Sequence, residues 1–295
     1  MRKAFFQIDV FTDRPLLGNP AAVVFDADDL PGDLLQRIAR EMNLSETVFI
    51  LAPDTPEADY RVRIFTPRRE LPFAGHPTLA AASAVIANQP AYANASRLRQ
   101  SCGIGIVPVD VVTEEKDRWY WMTQAEPEFR DAPIEPGALA SLIGCQVTDL
   151  ADTPPTRVST GVPWWIVELR SVAALSALRV DLPRLEVLSR ELGAAGMTVF
   201  AEHPAGSPYR LRLRTFAPGD GIAEDPVCGS GNGCVAAFIA HFKHADQSAG
   251  AYRAEQGVEI GRGGEARAAW TRTDGRLQIR IGGQTVTVAT GTLHL

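Results

Sequence analysis

Apolar and polar positions alternate in several short runs of this chain. YRVRI (60–64), YRLRL (209–213) and LQIRI (277–281) place apolar side chains two residues apart, the period of a strand with one buried face. The aromatic run WYWM (119–122) is read as a further strand. Two segments break this rhythm. PTLAAASAVIA (77–87) and GCVAAFIAHF (233–242) are apolar on nearly every side of a helix, so each predicts a helix buried all round inside its own sheet. Several strands and one such helix in each half predict an α+β fold, not a parallel βαβ array.

The two halves also repeat one another in order. GNPAAVV (18–24) matches GVPWWIV (161–167), with Gly18 over Gly161 and Pro20 over Pro163, an offset of 161 − 18 = 143. LSETVFIL (44–51) lies over AGMTVFAE (195–202) at 198 − 47 = 151, and YRVRIFTP (60–67) over YRLRLRTFAP (209–218) with Phe65 on Phe216 at 216 − 65 = 151. FAGHPTLAAASAV (73–85) lies over VCGSGNGCVAAFI (227–239), with Gly75 on Gly229 at 229 − 75 = 154. Four blocks in one order argue for an internal duplication, and the unit is too long for a solenoid, whose repeats run about 20 to 50 residues. Two related domains are expected: 1–124, completed by a C-terminal strand at 284–295, and 125–283. The proline- and acid-rich segment QAEPEFRDAPIEPG (124–137) is the expected boundary.

Composition narrows the function. With 295 residues, 45% hydrophobic and 22% charged, the chain has the make-up of a folded protein able to bury two cores. Its 29 Lys and Arg against 35 Asp and Glu give 29 − 35 = −6, which argues against a surface made for nucleic acid. No apolar run approaches the roughly 18 residues that cross a bilayer, and Asp9 interrupts what would have to be the apolar core of a signal peptide. No membrane partner is expected, and the cytoplasm is the simplest address. The four cysteines, Cys102, Cys145, Cys228 and Cys234, form neither a CxxC pair nor a disulfide framework.

Candidate chemistry lies where the repeats differ. Glu46 stands just before an apolar strand, while the position aligned with it by the shared Thr-Val-Phe triplet is Met197, which exchanges no proton. A carboxyl held against apolar surface is shifted toward the range useful for general acid–base work; a solvated strand-edge glutamate is the bland reading. GHPT (75–78) opens the first buried helix, where Gly75 allows close backbone approach and His76 could donate a proton beside unpaired amides. A histidine that merely satisfies a backbone carbonyl is the alternative. In the second half EDPVCGSGNG (224–233) places Ser230 over His76, with Gly229 and Gly231 beside it, and Asp225 could orient His76 or a substrate amine or simply form a turn. The glycine cluster lacks the Lys-Ser/Thr ending of a phosphate loop, and His241 and His244 lack a third ligand, so neither a nucleotide nor a metal site is expected.

FTDRPLLGNPAAVV, NLSETVF, FTPRRELPFAGHPTLA, RTFAPGDGIAEDPVCGSGNG and GGQTVTVATGTLHL together resemble the PhzF-like isomerases of phenazine biosynthesis, built on the diaminopimelate epimerase fold. The resemblance implies two pseudo-symmetric domains, each a β-barrel-like sheet around a central helix, with the active site in the cleft between them, a homodimer and no cofactor. It assigns proton transfer to Glu46, with His76, Asp225 and Ser230 as its partners. The related epimerases use two cysteines, whereas this chain has Cys228 at one position and Ala74 at the other, which disfavours a two-thiol racemase. The expected function is a cofactor-independent isomerase that moves a proton within a small carboxylated metabolite. Two rivals remain: an epimerase pairing Cys228 with Glu46, and a non-catalytic binder of small carboxylates.

Overall fold

A computed structural model describes residues 1–132 and 134–295; Pro133, inside the expected boundary segment, lies outside the described residues. The chain divides into two units, Met1–Thr123 with Gly282–Leu295, and Gln124–Ile281. Among the described residues no helix is long and apolar enough to cross a membrane.

The first unit runs β1 (Arg2–Val10), β2 (Asn19–Val24), α1 (Gly32–Met42), β3 (Glu46–Leu51), β4 (Tyr60–Phe65), β5 (Glu70–Leu71), α2 (Gly75–Asn88), β6 (Arg97–Cys102), β7 (Gly105–Glu114) and β8 (Asp117–Thr123). The C-terminal strand Thr285–His294 lies antiparallel on β1. Onward from it, β1–β2 is antiparallel, β2–β3 parallel, β3–β4 antiparallel, β4–β6 parallel and β6–β7 antiparallel. Each parallel step needs a crossover, and the helices supply them on opposite faces. The outer one, α1, buries Leu35, Ile38 and Ala39, one helical stripe, and ends where Asn43 takes a left-handed conformation. The inner one, α2, is buried from His76 to Ile86 and touches β1, β2, β3, β6, β7, β8 and the C-terminal strand, so the sheet curls around it. Its run of alanines lets strands approach from all sides.

The second unit repeats that plan with β9 (Glu128–Asp131), α3 (Pro136–Ile143), β10 (Thr156–Ser159), β11 (Pro163–Leu169), α4 (Val172–Ala177), α5 (Leu182–Leu192), β12 (Gly196–Glu202), β13 (Leu211–Ala217), β14 (Ile222–Asp225), α6 (Gly229–Phe242), β15 (Ala249–Gln256), β16 (Gly264–Thr273) and β17 (Arg276–Gly283). From β9 the ladder runs β10 antiparallel, β11 antiparallel, β12 parallel, β13 antiparallel, β15 parallel and β16 antiparallel, the order of the first unit step for step. On one face Leu185 of α5 joins Trp165, Val167, Met197, Val199 and Phe216; on the other, α6 is buried almost throughout and Phe238 meets Phe200 edge-on at 5.7 Å. The predicted strands and buried helices are present, except that YRLRL enters its strand only at Leu211. The fold is α+β, in two copies of one design.

Side-chain detail is duplicated as well. The Arg63 guanidinium lies 5.2 Å over Phe65 and clasps Glu70 through two bonds of 2.7 Å; Arg214 lies 5.2 Å over Phe216 and clasps Glu224 at 2.9 and 2.7 Å. Behind each central helix stands a buried glutamine. Gln100 donates to Thr78 Oγ1 at 2.9 Å, and Gln256 accepts from Asn232 Nδ2 at 2.9 Å.

Candidate functional site

The ladders correct one equivalence. Ala21 pairs with Glu46 in the first unit and Trp164 with Gly196 in the second; Thr47 pairs with Phe65 and Met197 with Phe216. Since Ala21 matches Trp164 and Phe65 matches Phe216, the partner of Glu46 is Gly196, at 196 − 46 = 150, and not Met197. The shared triplet misleads because strand side chains alternate faces, so a slip of one residue exchanges them. Met197 packs into the outer core, whereas Glu46 faces the start of α2. The second unit still supplies no acid there.

Glu46 opens β3 and His76 is the second residue of α2, and both are buried, with 8% and 6% of their surface exposed. Glu46 Oε2 stands 3.2 Å from His76 Nε2, within reach of a shared proton. Burial pulls the His76 ring down from its ordinary 6.5 to about 3, opposed by a hydrogen bond with the Pro20 backbone. Pro20 belongs to the GNP motif, where Gly18 adopts φ +62° and a Cβ would come within 2.2 Å of the Val10 carbonyl. The motif therefore helps to hold the histidine.

A histidine buried neutral has a pH signature. Between about pH 6.5 and 3 the unfolded chain binds the proton that folded His76 excludes. This stabilising difference is complete above pH 6.5 and is lost as pH falls toward 3. His76→Gln is expected to flatten the loss of unfolding free energy over that interval, measured by urea titration at successive pH values; slopes equal to the parent's would contradict it.

In the second unit the expected residues gather around the start of α6. Asp225 ends β14, Cys228 is the N-cap, and Gly229, Ser230 and Gly231 form the first turn. Gln256 clamps this turn, donating to the Asp225 carbonyl at 3.0 Å and accepting from the Cys228 amide at 3.2 Å. Nothing in the sequence marked Gln256, since one glutamine at a strand end reads as surface. The Cys228 Sγ accepts from the Gly231 amide at 3.3 Å and lies 3.5 Å from Ser230 Oγ. Burial first, and then the Asp225 charge, push the thiol well above its ordinary range. The helix end does not offset the burial, so the Cys228 thiol is held toward its protonated form and away from the thiolate a second base would require. Gly231, expected to face a ligand with its amide, spends that amide on Cys228; the residue is glycine because a Cβ would meet Thr198 Oγ1 at 2.7 Å. Among the described residues the amides of Gly229 and Ser230 have no protein acceptor. Ala74, the counterpart of Cys228, caps α2 with no side-chain bond.

His241 stacks on Phe129 at 4.4 Å and His244 on Trp270 at 5.8 Å. Each is accounted for by packing.

A family model described as phenazine biosynthesis-like protein (PhzC-PhzF) matches residues 8–291. The trans-2,3-dihydro-3-hydroxyanthranilate isomerase of Pseudomonas aeruginosa is 38% identical over 257 residues, covering 86% of this chain and 86% of that protein. The crystal structure of a Bacillus anthracis phenazine biosynthesis protein of the PhzF family superposes with a TM-score of 0.92 at 28% identity, with all of both chains covered. A hydroxyproline epimerase from Agrobacterium vitis shares the fold, with a TM-score of 0.66 at 13% identity over 100% of this chain and 93% of that one.

Proposed function

The chain is an isomerase of the phenazine biosynthesis-like (PhzC-PhzF) family, and from that premise we propose that it moves a proton within a small, conjugated carboxylate with Glu46 as the single acid/base. The observation that carries this reading is the 3.2 Å approach of the buried Glu46 carboxyl to the neutral His76 ring. In the proposed reaction Glu46 takes a proton from one carbon, the bonding electrons spread into the conjugated system and its carboxylate, and the same proton returns at another carbon. Atoms and charge balance, as an isomerisation requires. The neutral His76 adds no cation that would neutralise the base and can hold the proton's position through Nε2. Asp225 and Ser230, with Gly75 and Gly229, are the proposed substrate contacts, and Cys228 takes part as a protonated donor at most. The reading includes a homodimer acting in the cytoplasm without a cofactor.

Relatives named as trans-2,3-dihydro-3-hydroxyanthranilate isomerases support that compound as the first substrate to try. Purified protein is expected to convert it to an isomer of unchanged mass, followed by the absorbance change of the shifted double bonds. Full recovery of the compound at micromolar enzyme, alongside binding of that compound, would favour a non-catalytic binder.

A further inference from the structure

We infer that Trp164 is a positioning residue of the second unit: its indole fills, over Gly196, the place that Glu46 fills in the first, and its Nε1–H holds the Ser230 hydroxyl to donate to a ligand carboxylate. The inference rests on the reading above only in taking Ser230 as a substrate contact.

Two exchanges of size support it. In the first unit a small residue, Ala21, stands beside Glu46 on the ladder, and the carboxyl reaches His76. In the second unit a large residue, Trp164, stands beside Gly196, and the indole reaches Ser230, the counterpart of His76, at 2.9 Å. A Cβ on Gly196 would come 3.0 Å from the Trp164 ring and 2.0 Å from the Phe216 carbonyl. Gly196→Ala is accordingly expected to lower the melting temperature by several degrees, with an unchanged melting temperature as the opposing result. The second copy cannot regain an acid at this position, because the indole and the backbone occupy the space.

The hydrogen-bonding capacity of Ser230 gives the indole its role. A serine hydroxyl has one hydrogen to donate and two lone pairs. The Trp164 Nε1–H, which can only donate, takes one lone pair, so the Ser230 hydrogen must point elsewhere. Within its reach stands Cys228 Sγ at 3.5 Å, a weak acceptor. Trp164, Ser230 and Cys228 thus stand in one row, with the indole as its fixed donor. An arriving carboxylate is a better acceptor than sulfur and captures the Ser230 hydrogen without disturbing the indole bond. With 5% of its surface exposed, the Trp164 ring is itself held in place beneath that hydroxyl.

The test is a double-mutant cycle with Trp164→Phe, which keeps the ring and removes the N–H, and Ser230→Ala. Binding of anthranilate, a planar aminocarboxylate, is measured by calorimetry, and KM and kcat with the dihydro-hydroxyanthranilate. Trp164→Phe is expected to weaken binding and raise KM about tenfold with kcat within about threefold of the parent, and to add nothing once Ser230 is alanine. If Ser230→Ala weakens binding but Trp164→Phe does not, or if the two effects add, the role of Trp164 is overturned and the functional reading survives. If Ser230→Ala binds as tightly as the parent, the substrate contact at Ser230 fails and the inference falls with it. Should Trp164→Phe fail to fold, the Trp164 indole N–H resonance decides: it is expected to move on adding anthranilate to the parent but not to Ser230→Ala. A resonance unmoved in the ligand-saturated parent would overturn the inference.

Discussion

Glu46→Gln is expected to lower kcat by about three orders of magnitude or more, because a single carboxyl both removes and returns the proton and general acid–base catalysis contributes about 10²–10⁴-fold. Glutamine keeps the shape, so the fold and the binding of anthranilate are expected to remain within about threefold of the parent. The measurement is steady-state turnover beside calorimetric binding. Wild-type kcat in this variant would remove Glu46 from the chemistry, while lost binding with unchanged kcat would make it a substrate contact only. The approach of Oε2 to His76 Nε2 at 3.2 Å implies a weaker companion effect for His76→Asn, which keeps the buried site uncharged.

The largest expected loss of stability lies away from the site. Arg214 and Glu224 are both 9% exposed in their side chains, and the guanidinium also donates to the carbonyls of Leu175 and Leu178 at 3.2 and 3.3 Å. Removing Glu224 strands a buried charge, so Glu224→Ala is expected to cost about 3–5 kcal/mol. The first unit provides its own control. Arg63 and Glu70 make the same two-bond pair over the same aromatic, but with 33% and 43% of their side chains exposed. There water can replace the lost partner, and Glu70→Ala is expected to cost no more than about 1 kcal/mol. Both values follow from urea unfolding; equal losses for the two variants would contradict the assignment of cost to burial.

The contrast between these pairs also shows how far the sequence could be read. The duplication was legible because blocks at glycine, proline and aromatic positions recur in order, and those residues fix local geometry. Gly75 and Gly229 each open a 14-residue helix, as their alignment implies. Burial was legible only for long apolar runs: RVRIF and RLRTF look alike, yet one arginine is a third exposed and the other is sealed under α4. Register was the weak point. Three matching letters, Thr-Val-Phe, outvoted the alternation of faces along the strand, and Met197 took the place of Gly196. The size exchange of Ala21 with Glu46 against Trp164 with Gly196 was a usable signal, but it becomes visible only when neighbouring strands are compared together. Buried polar clamps such as Gln256 and Asn232 leave no pattern, because one polar residue in a strand or helix is ordinary. The elevated Cys228 thiol and the depressed His76 ring follow from burial that a helix-end argument on sequence alone does not contain.

The most direct test of a single carboxyl carrying the proton internally is turnover in deuterium oxide. After one complete conversion of the dihydro-hydroxyanthranilate, with the product analysed by NMR and mass spectrometry, most of the migrated hydrogen is predicted to remain protium at its new carbon. Full incorporation of one solvent deuteron at that carbon from the earliest turnovers would contradict it, pointing to an acid that exchanges with water or to a second base.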